Sequence, residues 1–471
     1  YRDFITFRQK ESPCISKLSC FLTPPRPLPR SSRLYAVDFV SKTCAVKPLQ
    51  YDDLASAITS APAKGGRIIV IEDLHPSALD ILGPSLDIDP VFFADHIVTD
   101  LEDPQRSPAP PSVALTPSQI LSRKESFHIH YQQMVDLTSN GPIEEFPWVM
   151  KTYANVPRSV RRLPRQNSEP QLGIVRGCCS ILTKHFTDSW IGTYKPIAII
   201  LVDSATSRIV SSDPHNHTID LRRTPLRRSF ESLPRRSSFA EFQASGSPPS
   251  QKPNCPPPSL FDYIQSELTS LPLQGGQSSF PTALDIALAG ILPPIISEWM
   301  VYSEIVANIL SRSEFAFSNA AAAPFSESEI IGLQKWRHRL IQSQHKLTAT
   351  RDYIQHHSHG PGIVSSHDSK SQSVTKDITH LLDKFDRYSQ ALNCIIPIAP
   401  ALVQVHDHRR AVADQAFVRR LTYIAFVFVP ASWVAAIFSM ASEYGPGQPK
   451  FWVYFAVSVP FCLALVVGSF L

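Results

Sequence analysis

The sequence has little glycine and none of the short motifs that mark common enzymes. It holds 17 glycines against 42 prolines in 471 residues. The prolines cluster, which indicates disordered segments between folded ones. A phosphate-binding loop G-x-x-x-x-G-K-[ST], a nucleophile elbow and an H-E-x-x-H zinc motif are all missing. We therefore expect that the protein is not an enzyme and carries no resident cofactor.

The cysteine spacing and the net charge argue against several classes of protein. None of the eight cysteines is part of a C-x-x-C motif, and Cys178 and Cys179 are adjacent. This arrangement suits neither a zinc knuckle nor a disulfide framework, so a reducing compartment is expected. The formal net charge of +4 is too small to indicate a nucleic-acid partner.

What the sequence does have is two long runs without charge. Residues 421–440 and 451–471 each approach the length needed to cross a bilayer. Basic residues gather before the first run, whereas the polar bridge 441–450 has only Lys450, so the N-terminal part is expected in the cytoplasm. We predict an integral membrane protein whose partner is the lipid bilayer, with the plasma membrane favoured over an organelle. Two buried helices of a soluble protein, or a simple tail anchor, are the alternatives.

Residues 34–220 predict a cytoplasmic α/β domain. Segments such as "GRIIVIEDL" and "KPIAIILVDSATSRIV" have the apolar, β-branched character of strands. "DDLASAITSA" and "HPSALDILGPSLDIDPVFFADHI" read as helices, with Asp52 and Pro76 as start signals. Pro/Ser-rich composition predicts disorder in four places: 1–33, the inserts 103–118 and 156–170, and the Arg/Ser/Pro-rich 221–259.

The remainder predicts helices. Residues 260–355 repeat apolar residues at helical spacing, 356–373 form a His/Ser/Gly-rich hinge, and 374–420 predict a stalk helix that enters the first span without a turn signal. The expected fold class is α+β with an α-helical membrane part. It comprises an N-terminal cytoplasmic α/β domain, a long helical stalk and a C-terminal two-helix transmembrane hairpin with its outer loop at 441–450. The chain begins with Tyr1 and stops inside the second run, so both ends are expected to be incomplete.

This architecture resembles the CorA-like magnesium and divalent-cation transporter family. "RLTYIAFVFVPASWVAAIFSM" is similar to the first span of the family, with its arginine before "LT", its "F-x-P" step and its "I-F-x-M" ending. "IEDLHPSALDILGPSLDIDPVFFADHI" resembles a cytoplasmic segment of fungal-type members. The resemblance implies a homopentamer whose first spans line a central ion pathway and whose second spans face lipid. The ion implied is magnesium or another divalent cation, transported or regulatory.

The family carries Gly-Met-Asn at the outer end of its pore helix, and here that motif is degenerate. Phe438 matches the preceding aromatic position and Met440 matches the methionine, while Ser439 replaces glycine and Ala441 replaces asparagine. Magnesium gives up its water reluctantly, so a ring of amides holds the hydrated ion, and alanine offers no acceptor. The Ser439 hydroxyl and the unpaired carbonyls of a helix end partly substitute.

Helical spacing selects candidate pore-lining residues. Ser432 and Ser439 are seven residues apart and share a face, Ala425 joins them one heptad earlier, and Val429 lies close to that stripe. Packing of small residues between membrane helices is the alternative interpretation. Glu443, the one acid of the outer bridge, would attract cations to the mouth if copies gathered around an axis; otherwise it is a solvated loop residue.

Two further sets of residues suggest regulation. Asp407 and Asp414, again seven apart, could bind a regulatory divalent cation between copies of the chain, or could form ion pairs with nearby arginines. Hydroxyl residues that follow paired arginines in 221–259 suit a basophilic kinase, and a basic loop lying near an anionic leaflet is the alternative. The candidate phosphorylation sites are Thr224, Ser229, Ser237 and Ser238.

The function favoured by the sequence is a passive divalent-cation channel or transporter of the magnesium type. The alternative is a membrane-anchored regulatory or scaffold protein that retains the fold without transport. The substitution at Ala441 favours that alternative.

Overall fold

The computed structural model divides the chain into two units. Unit 1 comprises Tyr1–Leu310 and Arg337–Gln390, and unit 2 comprises Ser311–Trp336 and Ala391–Leu471. The described residues are 1–23, 32–40, 43–62, 65–98, 125–137, 150–163, 171–187, 194–211, 218–220, 259–270, 280–318, 327–358, 367–440, 447 and 449–470.

Ten strands of unit 1 form one mixed sheet. Their order is β10-β9-β5-β6-β7-β8-β3-β1-β2, with β4 paired to β7. β3 and β8 are parallel, and the other paired strands are antiparallel. The strands are β1 (Leu34–Val40), β2 (Thr43–Leu49), β3 (Gly66–Glu72), β4 (Ser126–Asp136), β5 (Met150–Thr152), β6 (Ser159–Arg162), β7 (Leu172–Thr187), β8 (Tyr194–Val202), β9 (Arg208–Ser211) and β10 (Thr218–Asp220).

The helices precede, interrupt and follow the sheet. A 3-10 turn at Pro13–Ile15 and a π-helical stretch at Ala287–Ile291 adjoin them. The α-helices are α1 (Arg2–Glu11), α2 (Ser16–Leu22), α3 (Tyr51–Thr59), α4 (Pro76–Ser85), α5 (Pro90–Ile97), α6 (Leu260–Ser270), α7 (Ala283–Ile286), α8 (Leu292–Ser318), α9 (Glu327–Ser358), α10 (His367–Ser439) and α11 (Trp452–Phe470).

The centre of the sheet is buried on both faces. All seven residues of β3 are buried, which explains the apolar run Ile68–Ile71 at its middle, while buried Arg67 near its start pairs with Asp38. Residues at alternate positions of β3 and β8, such as Ile69 and Ile199, pack into a cluster with α1–α5. On β1, Tyr35 meets Phe261 of α6 edge-on at 4.8 Å. The strands predicted from apolar segments are confirmed, whereas β2, β5, β6 and β10 were not foreseen.

Two helices of the α/β layer begin as the sequence predicts or close to it. Pro76 occupies the first turn of α4, and the His75 ring accepts a hydrogen bond from the Ser77 amide at 3.2 Å. α3 begins at Tyr51, with Asp52 in its first turn, where a carboxylate favours the helix dipole. The long predicted helix "HPSALDILGPSLDIDPVFFADHI" is divided, because Asp89 caps a new helix, α5, by accepting from the Val91 amide at 3.0 Å.

The prediction of disorder over 1–33 is wrong for residues 2–22. α1 and α2 bury Ile5, Leu18 and Phe21 in the same core as α5. The Tyr1 hydroxyl donates to the Ile88 carbonyl at 2.6 Å. Proline and arginine are concentrated after residue 23, so the composition of the tail hid two helices that are stabilised by burial.

The insert 156–170 is also shorter than predicted. Residues 156–163 contain β6 and are ordered by pairing with β5 and β7. Val160 is buried despite its Pro/Arg-rich surroundings. Residues 164–170, like the insert 103–118 and residues 221–258, lie outside the described part of the chain.

The hinge 356–373 is likewise narrower than predicted. α9 continues to Ser358 and α10 begins at His367, and the hydroxyls of Ser358 and Ser371 hydrogen-bond to each other. The His357 ring stacks on Tyr353, with centroids 4.0 Å apart, and its Nδ1 lies 2.9 Å from the Tyr353 carbonyl oxygen. The side chain therefore packs on its own helix. His359 lies outside the described residues.

Among the described residues, two helical stretches are long and apolar enough to cross a membrane by length and composition. In residues 283–315, 67% of the apolar window is buried, which is typical of a core helix. There the Trp299 indole N–H donates to the His130 carbonyl at 3.0 Å and its ring meets Phe385. In residues 369–439 only 12% of the window is buried. The described residues therefore leave most of the apolar surface of the second helix uncovered.

Candidate ion pathway

The candidate site lies at the C-terminal end of α10. Continuous helix runs through Leu421 to Ser439, including Pro430. Proline has no N–H, so the carbonyl of residue 426 loses its helical partner, which membrane helices tolerate. Large apolar side chains along this segment are exposed in the single chain: Leu421 by 57%, Phe428 by 69% and Trp433 by 60%. Such a surface requires lipid or further protein to cover it.

The helix α11 packs antiparallel against one side of this segment. Phe438 meets Tyr454 at 6.2 Å between ring centroids, and Trp433 meets Phe461 at 6.1 Å. Val434 is 4% exposed. The contact positions run in opposite directions along the two helices, so the pair forms an antiparallel helical hairpin.

The predicted lining residues occupy the side of α10 that faces away from α11. At roughly 100° per residue, Ser432 and Ala425 lie about 160° and 180° around the helix from Val434. Val429 and Ser439 fall within roughly 40° of that direction. All four side chains are exposed in the single chain. The geometry thus separates a face that packs on α11 from an opposite stripe of mostly small residues.

One stripe residue was missed by the sequence reasoning. Ala436 lies one heptad after Val429, on the same exposed side of α10. The seven-residue spacing that selected Ser432 and Ser439 would have found it if it had been applied to Val429 as well. The stripe therefore consists of Ala425, Val429, Ser432, Ala436 and Ser439.

The serine hydroxyls of the stripe are satisfied within the helix. Ser432 donates to the Val429 carbonyl at 2.8 Å, and Ser439 donates to the Ala436 carbonyl at 3.0 Å. Each hydroxyl oxygen keeps lone pairs that can accept from the water shell of a cation. Hydroxyls bonded in this way place acceptors on an apolar helix without leaving a donor unpaired.

The helix α10 ends where the motif begins. Its last residue is Ser439, and the Met440 amide donates to the Ile437 carbonyl at 3.2 Å. Met440 is 88% exposed. A continuous helix would place Ala441 nine residues from Ser432, on the opposite face, and an ending at Ser439 removes that restriction. Ala441 itself and Glu443 lie outside the described residues.

The bridge to α11 has a glycine turn. Gly447 has φ of +96°, in the region that side-chain-bearing residues rarely adopt. A turn here suits the expected outer loop at 441–450 between the two helices. Gly445 lies outside the described part of the chain.

The acidic pair on the stalk is only partly described. Asp414 is exposed on α10 and makes no ion pair with a described residue. The nearby Arg419 guanidinium instead bonds the Tyr423 hydroxyl at 3.1 Å. The alternative of an ion pair to Asp414 is thus not found among the described residues. The side chain of Asp407 is not described, although its backbone is helical.

No cluster of three or more metal-ligating side chains occurs among the described residues of a single chain. The candidate phosphorylation sites Thr224, Ser229, Ser237 and Ser238 lie outside the described residues.

Comparison with known proteins shows which family the C-terminal region resembles. Residues 322–471 match the model of the family described as CorA-like Mg2+ transporter protein. This confirms, over that region, the resemblance noted from the sequence. No curated protein matches the chain significantly.

Several solved structures are similar over most of their length. The complete CorA magnesium transporter from Methanocaldococcus jannaschii is 12% identical, with a TM-score of 0.38, covering 94% of this chain and 98% of that one. The full-length CmaX protein is 10% identical, with a TM-score of 0.39 and the same coverage. The ZntB cytoplasmic domain from Vibrio parahaemolyticus is 11% identical, with a TM-score of 0.33, covering 81% and 100%.

Proposed function

We propose that this chain, whose residues 322–471 match the CorA-like Mg2+ transporter family, conducts magnesium or a related divalent cation passively across a membrane. The family match is the observation that carries the proposal, because it covers the whole helical hairpin. The exposed stripe on α10, opposite the face that packs on α11, supplies a surface on which such a pathway can be built.

The exposed face of α10 supports assembly with further copies. A single stripe cannot enclose a pathway, and only 12% of the apolar window is buried in one chain. Five copies, the number implied by the family resemblance, would turn Ser432 and Ser439 toward a common axis. α11 would then lie outside, against lipid. The N-terminal part would face the cytoplasm, with the plasma membrane favoured over an organelle.

The chemistry at the outer end would be outer-sphere recognition of a hydrated ion. Ser439 hydroxyls and the last carbonyls of α10 would accept from the ion's water molecules, next to Met440 and Ala441. Glu443, repeated in each copy, would raise the local cation concentration at the mouth. The membrane potential would drive inward movement by about 4.6 kcal/mol per 100 mV for two charges.

Regulation would act from the cytoplasmic side. Asp407 and Asp414, brought together from several copies, would form an oxygen-ligand site for a divalent cation. A basophilic kinase acting within 221–259 would lower the positive charge of that segment.

The alternative is a membrane-anchored regulatory or scaffold protein of the same family without transport. One observation favours it: Ala441 stands where the family has an amide, and Ser439 stands in place of its glycine. An apolar side chain at that position offers no acceptor to a hydrated ion.

Flux measurement separates the two functions. The purified full chain, its oligomeric state checked, is reconstituted in liposomes, and entry of magnesium, cobalt and nickel is followed. Saturable entry of at least one ion is expected. No entry of any ion from an oligomeric preparation would contradict transport and favour the alternative.

Two adjacent alanines provide a matched pair of variants. Ala436→Leu places bulk on the stripe and should reduce flux strongly, because each copy would narrow the pathway. Ala435→Leu makes the same change roughly 100° away around the helix and should reduce flux little. Equal effects would place the pathway elsewhere.

Ala441→Asn should shift the cation preference of the flux toward magnesium. An unchanged flux rate and an unchanged cation preference would show that Ala441 is not part of the filter.

A further inference from the structure

Two histidine rings of unit 1 meet at one buried serine hydroxyl. His96 lies in the last turn of α5, His128 on β4 and Ser180 on β7. The Ser180 hydroxyl oxygen is 2.9 Å from Nδ1 of His96 and 2.7 Å from Nδ1 of His128. Strand register explains half of this meeting, because His128 and Ser180 are direct partners across β4 and β7. His96 and Ser180 are wholly buried, and the His128 side chain is 4% exposed.

The shared hydroxyl requires different tautomers in the two neutral rings. A serine hydroxyl has one hydrogen to donate, and a neutral imidazole carries one proton on one of its two nitrogens. The Cys178 sulfur lies 3.5 Å from the Ser180 oxygen, but sulfur is a weaker acceptor than a ring nitrogen. Ser180 therefore donates to one ring and accepts the Nδ1 proton of the other ring. The accepting ring has its own proton on Nε2, and the donating ring has none there.

Two carboxylates decide which ring takes which tautomer. Nε2 of His96 lies 3.6 Å from Asp203, and Nε2 of His128 lies 3.8 Å from Asp95. The Asp203 side chain is 9% exposed and the Asp95 side chain 44%, so solvent screens the charge of Asp95 more. An Nε2 proton is therefore stabilised more on His96 than on His128. We expect neutral His96 to accept from Ser180, and neutral His128 to donate to it through Nδ1.

We propose that His128 is a proton-binding site of unit 1, which takes up a proton at Nε2 beside Asp95 as the pH falls, while His96 stays neutral. The charged ring still donates through Nδ1 to Ser180, so protonation breaks no hydrogen bond of this cluster. Burial opposes the charge on His128, and the carboxylate and the hydrogen bond to Ser180 offset that cost. Proton binding thereby adds an ion pair between β4 and α5. All these residues belong to unit 1, so proton binding does not depend on transport.

The surrounding charges favour protonation of His128 over that of the neighbouring histidines. Burial, together with the charge of Arg158, holds the pKa of His96 well below its ordinary value. Burial also lowers the pKa of His130, two residues along β4. Arg158 pairs with Asp203 at 2.8 Å, which keeps that carboxylate ionised opposite His96. The other titratable groups around the cluster are the Cys178 thiol of β7, Lys346 of α9, whose charge acts on His130, and the Cys14 thiol of the 3-10 turn, on which the charge of Asp95 acts.

The test is solid-state NMR of the full chain labelled with 15N at histidine, because nitrogen chemical shifts distinguish the two neutral tautomers and the charged ring. The signals that are lost in His96→Gln and in His128→Gln identify the two rings. Between about pH 8 and about pH 5, His96 should remain neutral with its proton on Nε2. Over the same range His128 should change from the Nδ1–H tautomer to the charged ring. The proposal is overturned if His128 is still neutral at about pH 5 in the folded chain, or if neutral His96 carries its proton on Nδ1.

Asp95→Asn tests the part played by the carboxylate. It should lower the pH at which half of the His128 rings are charged by about half a unit or more, because it removes the facing negative charge. Asp53→Asn is the matched control, since Asp53 is exposed on α3 and its side chain forms no hydrogen bond or ion pair with the cluster among the described residues. This control should leave the titration of His128 unchanged. Equal titrations in the two variants would overturn the pairing of charged His128 with Asp95.

Discussion

Replacing Asp203 by asparagine should destabilise unit 1 more than any change to a surface ion pair. Arg158 donates to both carboxylate oxygens of Asp203 at 2.8 Å, and the two side chains are only 4% and 9% exposed. The same guanidinium bonds the carbonyls of His96 and Ile97 at the end of α5. Asp203 also accepts from the Cys178 amide at 2.8 Å. The pair thus connects α5, β7 and the segment before β6.

The magnitude follows from burial. Asparagine keeps the size of the side chain and can still accept from the Cys178 amide, so the change isolates the loss of charge. A buried guanidinium left without its counter-ion typically costs about 3–5 kcal/mol. At about 2 °C per kcal/mol for a domain of this size, the melting temperature should fall by roughly 6–10 °C.

The assay is thermal unfolding of the full chain in detergent, followed by circular dichroism and tryptophan fluorescence. Asp80→Asn is the control, because Asp80 pairs with Arg2 at 2.6 Å, with side chains 34% and 55% exposed. Exposed pairs contribute at most about 1 kcal/mol, so this variant should shift the melting temperature by about 2 °C or less. Equal shifts in the two variants would refute the argument from burial.

Three further predictions concern unit 1. Burial holds the pKa of His96 well below its ordinary value, so the unfolded chain binds a proton below about pH 6.5 that the folded chain does not bind, and stability falls as the pH falls. His96→Gln should therefore lose less stability between pH 7.5 and 5.5 than the unaltered chain. An equal loss in both proteins would contradict this role of His96. Gly66 has φ of +142°, and a Cβ there would overlap the Phe280 ring and lie 2.6 Å from the Pro196 carbonyl oxygen, so Gly66→Ala should lower the melting temperature by several degrees. Burial raises the pKa of the Cys178 thiol to about 12, so a thiol-reactive maleimide should label exposed Cys394 in the folded chain but reach Cys178 only after denaturation, as mass spectrometry would show.

Local sequence patterns, such as apolar runs, helix start signals and helical periodicity, predicted much of the fold. The strands β3 and β8 were recognisable from the apolar runs Ile68–Ile71 and Ile197–Val202, because the middle of a central strand is buried on both faces. The start of α4 was recognisable from Pro76, because its fixed φ suits a first helical turn. The apolar end of α10 and its seven-residue stripe also followed from composition and helical period.

Other features depended on contacts that are distant in the sequence. α1 and α2 are stable because the core beneath them buries Ile5 and Phe21, which composition near the prolines does not reveal. β6 is short and rich in arginine, and it becomes a strand because β5 and β7 supply its hydrogen-bond partners on both sides.

The sequence by itself determined which segments must be buried or covered by lipid, since hydrophobicity and its period belong to the residues. Only the tertiary structure decided which charged groups meet. Arg158 finds Asp203, 45 positions away, and so becomes a buried pair. Arg161, Arg176 and Arg339 come from three separate elements and line one cleft. The physical reason is that electrostatic energy depends on distance and burial, which strand register and helix packing set and which local composition does not encode.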